Sequence, residues 1–138
     1  MSPASITLRR RIEWIDTDAA GIYHWTTVFR LAEAAEAALH TELGIAETTF
    51  GHAPRVAVSF DFTKSLRFND VVDVRVAVET VGRASLRYAV AITGPDGLAA
   101  QGHITVCFID PATGAARPWP DAVRDALEQG GEQHQTLG

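Results

Sequence analysis

Apolar and polar residues alternate from the start of the chain. Ile6, Leu8, Arg10, Ile12 and Trp14 fall on one side, and Thr7, Arg9, Arg11 and Glu13 on the other. This period-2 pattern predicts a half-buried strand. A turn-rich stretch, Asp16-Thr17-Asp18-Ala19-Ala20-Gly21, follows, and then the period changes. Val28, Leu31, Ala32, Ala35, Ala38, Leu39 and Leu43 recur at helical spacing, an apolar stripe about four or five turns long. Thr26 or Thr27 is a suitable N-cap and Gly44 a suitable terminator. The alanines of the stripe give a smooth surface that a sheet can approach closely. Four more alternating runs come next: Val56 to Phe62, Val72 to Val78, Leu86 to Ile92, and Ile104 to Phe108. Gly94-Pro95-Asp96-Gly97 predicts a tight turn between the last two. Pro111 to Pro120 reads as a loop, and Asp121 as the cap of a short helix burying Val123 and Leu127. Residues 130–138 are polar and are expected to form a frayed tail.

This order predicts an α+β fold, with one long helix against an antiparallel sheet of about five strands, in a single domain over residues 1–138. One helix cannot cover both faces of such a sheet, and an edge strand stays open. Homo-oligomerisation is the expected remedy.

Composition narrows the function. Of 138 residues, 46% are apolar and 21% charged, enough for a packed core. A formal charge of −5 argues against nucleic acid or anionic membrane as a partner. Arg9-Arg10-Arg11 lies inside the first strand pattern and reads as a solvated strand face. No apolar stretch is long enough to span a bilayer and no signal-peptide pattern is visible, so a cytoplasmic location is expected. The single cysteine, Cys107, reads as a packing residue. His40, His52, His103 and His134 lack metal-ligand spacing, and no metal is expected.

The segment Asp16-Thr17-Asp18-Ala19-Ala20-Gly21-Ile22-Tyr23, followed at once by a long helix, resembles the 4-hydroxybenzoyl-CoA thioesterase family of hotdog folds. It is similar too to the Tol–Pal-associated thioesterases. Phe62-Thr63-Lys64-Ser65-Leu66-Arg67-Phe68-Asn69-Asp70 and Val81-Gly82-Arg83-Ala84-Ser85-Leu86 extend the likeness along the chain. The resemblance implies an acyl-CoA thioesterase with no cofactor, CoA being part of the substrate. It also implies a homodimer assembling to a homotetramer, with active sites at subunit interfaces.

Thioester hydrolysis needs an oxygen nucleophile at the carbonyl carbon and donors for the developing oxyanion. By resemblance, Asp18 is the catalytic carboxylate, as nucleophile or as general base. Gly21 lets the backbone approach the substrate, and the backbone N–H near Trp25 is the oxyanion donor. The alternative for Asp18 is a turn and capping residue, which is the preferred reading for Asp16. His24 either orients water or the acyl group, or sits at the helix entrance. Tyr23, Thr27 and Glu33 are expected at the substrate. Glu33 and, less favoured, Glu36 are also the alternative carboxylates, since another branch of the fold uses a helix glutamate. Arg83 and Ser85, joined by Lys64 and Arg67, are expected at the CoA phosphates. The competing functions are a carrier-protein thioesterase, a non-catalytic acyl-CoA binding module and an enoyl-CoA hydratase.

Overall fold

The computed structural model describes residues 2–137. Strand β1 (Ser5–Arg11) leads through a short 3-10 turn (Trp14–Asp16) and the Asp18 loop into helix α1 (Thr27–Glu42). A four-residue helix α2 (Ala46–Thr49) precedes strands β2 (Arg55–Phe62), β3 (Val71–Val81), β4 (Ser85–Gly94) and β5 (Gly97–Cys107). Helix α3 (Asp121–Gln129) and a two-residue strand β6 (Glu132–Gln133) close the chain. The sheet order is β2-β5-β4-β3-β1-β6.

The alternating valines of β3, Val72, Val74, Val76 and Val78, are all buried. Leu86, Tyr88, Val90 and Ile92 of β4 share their face, beside Ile6 and Leu8 of β1. Against this face lies the predicted stripe of α1, with Val28, Leu31, Ala32, Ala35, Ala38 and Leu39 buried. Each large aliphatic side chain buried here contributes about 1.5–3 kcal/mol. The helix stops where expected: Gly44, at φ +74, turns the chain so that Ile45 N–H reaches the carbonyl of His40.

Several expectations need correction. The sheet has six strands, not about five, and the sixth runs parallel to β1. β6 lies in the segment expected to fray. Ser5 and Ile6 pair with Glu132 and Gln133, Arg10 Nη2 donates to Gln135 Oε1, and Thr136 N–H donates to Glu42 Oε1. Position 138 lies outside the described residues. Trp14 leaves the apolar side of β1, because the strand ends at Arg11, and its side chain is exposed. Asp121 is the first residue of α3, not its cap; the cap is Pro120. Cys107 is half-buried rather than enclosed.

The largest difference concerns β2. Its alternation is real, yet Val56, Val58 and Phe62 are exposed at 61%, 43% and 45%. β2 is an edge strand, paired on one side only to β5, and α1 packs on β1 and β3. No helix of the structure is long and apolar enough to cross a membrane.

Candidate active site

The loop between β1 and α1 is built on Asp16. Its carboxylate is buried and takes a forked pair of bonds from Arg30, Nε to Oδ1 at 3.0 Å and Nη2 to Oδ2 at 2.6 Å. Oδ2 also accepts from Glu13 N–H. The Asp16 carbonyl accepts from His24 N–H and from the Thr27 hydroxyl. Asp16 thus ties the strand end to the first turn of α1, which agrees with its reading as a scaffold residue. Arg30, which the sequence did not single out, supplies the fork. Replacing Arg30 by Met leaves the buried carboxylate with a single backbone donor. Urea unfolding should then show a loss of about 2 kcal/mol.

Thr17 and Tyr23 form a bridge that closes the loop above this anchor. Within it Asp18 Oδ1 accepts from Ala20 N–H at 2.9 Å, and the Asp18 carbonyl accepts from Gly21 N–H. Gly21 has φ +78, a conformation that other residues rarely adopt. The Asp18 carboxylate is exposed, and Oδ2 has no partner among the described residues. It lines neither of the two cavities that flank the loop.

Nearly all backbone donors at the helix start are taken. Tyr23 N–H goes to Leu66, His24 N–H to Asp16, Thr27 N–H to His24, Val28 N–H to Trp25, and the Phe29 and Arg30 N–H groups to Thr26. Thr26 N–H goes to the ring Nδ1 of His24. Among the described residues of this run, Trp25 N–H alone has no acceptor. His24 therefore caps the helix with its imidazole, while Thr26, the cap position itself, makes no side-chain cap bond. The same Nδ1 lies 2.7 Å from the Thr26 hydroxyl.

Trp25 also lines a cavity of about 300 Å³ with Ile22, Tyr23, Phe62 and residues 63–65. Tyr23 is buried, its ring 6.2 Å from that of Phe62 and its hydroxyl donating to the Lys64 carbonyl. Burial raises its pKa. Thr27, expected at the substrate, is buried with its hydroxyl committed to Asp16, so it acts as scaffold.

The four basic and polar residues expected at CoA do not meet within this chain. Lys64 is beside Tyr23, and Arg67 follows in the turn closed by Asp70. Arg83 and Ser85 lie past the far end of β3, whose 11 residues span about 33 Å. Trp119 stacks on Phe108 and donates to the Ser85 carbonyl, which pins the C-terminal segment to that far end.

A second polar group was not foreseen. His40, on the buried stripe of α1, bonds Tyr88 through Nε2 and Thr49 through Nδ1. Glu36, one turn earlier, accepts from Arg55 Nη2 at 2.6 Å. Glu33, Glu36, His40, Phe50 and Arg55 line another cavity of about 300 Å³. A histidine within an apolar helical stripe was the available signal. Its partners come from β4 and α2, too distant in sequence to be inferred. No group of three or more His, Cys, Asp or Glu side chains is placed to hold a metal among the described residues.

Comparison with known proteins sets this chain in a family. The profile of the Thioesterase-like superfamily matches residues 11–127. No curated protein matches in sequence. Among solved structures, a 1,4-dihydroxy-2-naphthoyl-CoA thioesterase from Synechocystis is 21% identical, with a TM-score of 0.77 over 89% of this chain and 95% of its own. A gentisyl-coenzyme A thioesterase is 25% identical, with a TM-score of 0.76 over 88% and 98%. A Thermus thermophilus thioesterase, crystallised with coenzyme A and zinc, is 23% identical, with a TM-score of 0.78 over 88% and 90%. The chain has the hotdog fold of these proteins, belongs to the Thioesterase-like superfamily and is a thioester hydrolase.

Proposed function

We propose that this protein hydrolyses acyl-CoA thioesters, with Asp18 as the reacting carboxylate and Trp25 N–H as the oxyanion donor. The observation that carries the reading is the unpartnered Trp25 N–H, in a run whose other N–H groups are bonded from Tyr23 to Arg30. Trp25 is 56% exposed, so this donor is accessible, and it suits an oxygen that gains charge during the reaction. In the reaction, either water oxygen adds to the thioester carbon while Asp18 takes its proton, or an Asp18 oxygen adds first to form a mixed anhydride, whose anhydride C–O bond breaks when water adds and so returns the Asp18 carboxylate. The C–S bond breaks and the CoA sulfur leaves as thiolate, which takes up a proton. The His24 ring, whose Nδ1 is engaged by Thr26, leaves Nε2 for orienting water or substrate.

The working unit in this reading is a homodimer joined along β2, from which the homotetramer assembles. The exposed apolar side chains of β2 support this, together with its unpaired edge. Antiparallel pairing of two β2 strands sets the Phe62 end of one against the Arg55 end of the other. Arg83 and Ser85 lie at the Arg55 end of the sheet, since Ser85 pairs with Cys107, whose N–H reaches Pro54. Pairing therefore brings the CoA-binding candidates of one copy toward Lys64 and the Asp18 loop of the other. Val58→Lys places a charge on that edge. Sedimentation equilibrium should show its dissociation to monomer at concentrations where the parent protein is dimeric or larger; an unchanged mass would remove β2 from the interface.

Activity is tested by thiol release from a panel of acetyl- to palmitoyl-CoA, benzoyl-CoA and phenylacetyl-CoA, beside the same acyl groups on acyl carrier protein. Faster turnover of the CoA esters supports the proposal. Turnover confined to carrier-bound chains moves the substrate to carrier protein, and no turnover on either defeats it.

A further inference from the structure

The sheet has two outer strands of full length, β2 with no strand beyond it and β1 with only the two residues of β6. A bare edge is a template for a further strand, yet β1 is not left bare. Val78 N–H takes the Ala4 carbonyl, so even-numbered residues of β1 turn their backbone groups to β3 and odd-numbered ones to the edge. At the edge, Ser5 N–H reaches the Gly131 carbonyl at 3.1 Å, and Ser5 and Ile6 pair with Glu132 and Gln133. Past that point Arg10 takes over. It falls on the side of Ile6, Leu8 and Ile12, all buried, where a charge has no place in a core. Its guanidinium turns over the edge instead, Nη1 donating to the Arg9 carbonyl at 3.0 Å and Nη2 to Gln135 Oε1 at 3.1 Å. Thr136 N–H then donates to Glu42 Oε1 at 2.6 Å, which ties the segment to α1 as well.

These contacts add little to the core, since no side chain of residues 132–137 is buried and Arg10 is half-buried. What they share is their place along one edge. β2 has no such cover, and its Val56 and Val58 are exposed. Pairing along β2 consumes that edge, so both outer edges of the resulting dimer are β1 edges. Left open, they would offer a docking strand at each end, and assembly would continue without closure. An inward-pointing charge and a very short edge strand are two means by which sheets refuse further strands.

We infer that Arg10 and residues 132–136 mask a strand-docking surface on β1, whose partner when bared is β1 of a second dimer. The inference rests on the β2 pairing of the reading above and not on its acyl-CoA chemistry. Two β1 strands related by a two-fold axis meet antiparallel. Centred on Leu8, that pairing sets Arg9, Arg10 and Arg11 of one copy against Thr7, Ile6 and Ser5 of the other, so the arginines do not oppose one another.

The test uses the full chain as parent, Gln133→Pro, Arg10→Thr and the two substitutions together, each checked for parental circular dichroism. Proline at 133 cannot donate to the ladder, and threonine at 10 suits a strand while removing the guanidinium. Sedimentation velocity over a concentration series should show the parent reaching a mass that grows no further. The paired variant should exceed that mass by about twofold or more and keep growing, with each single variant between. Growth in none of the three overturns the inference and leaves β2 pairing standing, because Val58→Lys in the parent tests that pairing alone. Adding Val58→Lys to the paired variant should halt growth at a dimer joined through β1. Monomer there would overturn β1 as the partner, since growth would then have run through β2.

Discussion

Asp18→Asn is expected to fold normally and to lose about a thousandfold or more in kcat on its best acyl-CoA, roughly 4 kcal/mol of transition-state stabilisation. The substitution is well matched to the geometry. The single side-chain bond that Asp18 makes is an acceptor bond from Ala20 N–H at 2.9 Å. An asparagine carbonyl oxygen accepts that bond equally well, so the turn and the φ +78 conformation of Gly21 are kept. What is lost is the charge and the lone pair that, in the proposed reaction, attacks carbon or takes a proton from water. Binding should change little, so the loss should appear in kcat with KM nearly constant. A purely conformational Asp18 predicts the reverse, a variant with almost full activity. Free-thiol release under saturating substrate, with near-UV circular dichroism as the control for folding, distinguishes the two. Activity that survives would shift attention to Glu33, a carboxylate that does line a cavity.

The elements that the sequence made legible are those whose pattern is local. The stripe from Val28 to Leu39 and the valines of β3 each repeat within a single element, and both are buried as their period requires. The turn at residues 94–97 is equally local: β4 ends at Gly94 and β5 begins at Gly97. β2 has the same alternation as β3, but period 2 says nothing about how many neighbours a strand has. Its exposure follows from its place at the end of the sheet. β6 was unreadable because two residues carry no period, and its pairing depends on the chain returning to Ser5 and Ile6.

The site divides in the same way. Asp18 and Gly21 announce themselves through turn chemistry, whereas the free N–H of Trp25 is visible only once its neighbours' bonds are known. Thr27 could be read either as a cap or as a substrate contact. Only the fold shows its hydroxyl turned back onto the Asp16 carbonyl. Arg30 with Asp16, Glu36 with Arg55 and His40 with Tyr88 are pairs whose members come from different elements. No spacing rule relates them, and each member alone is an ordinary polar residue.

The pair of His40 and Tyr88 carries the second large expectation, a loss of stability in mild acid. Burial, reinforced by the positive charge of Arg55, lowers the His40 pKa from 6.5 to about 4. Burial, and then the Glu36 carboxylate, pushes Tyr88 well above its ordinary value of 10, so it stays neutral and hydrogen-bonded to His40 Nε2. In the unfolded chain His40 takes up a proton near pH 6.5, whereas in the folded protein it does so only near pH 4. Between these values the unfolded state binds more protons, so stability rises with pH. The folded protein therefore carries no penalty from His40 above about pH 7.5, a penalty of about 2 kcal/mol at pH 5 and about 3 kcal/mol at pH 4. The charged groups facing the ring are Arg55 from β2 and, through Tyr88, Glu36 from α1 itself; Thr49 and Phe50 face it without charge. Gln at position 40 keeps an acceptor for Tyr88 and a donor for Thr49 but does not titrate. Urea unfolding at one fixed protomer concentration, at pH 7.5 and pH 5, should show the parent losing about 2 kcal/mol more than His40→Gln. Parallel losses in the two proteins would mean that His40 opens to solvent before it is protonated, and that the Tyr88–His40–Thr49 wire does not hold the ring neutral.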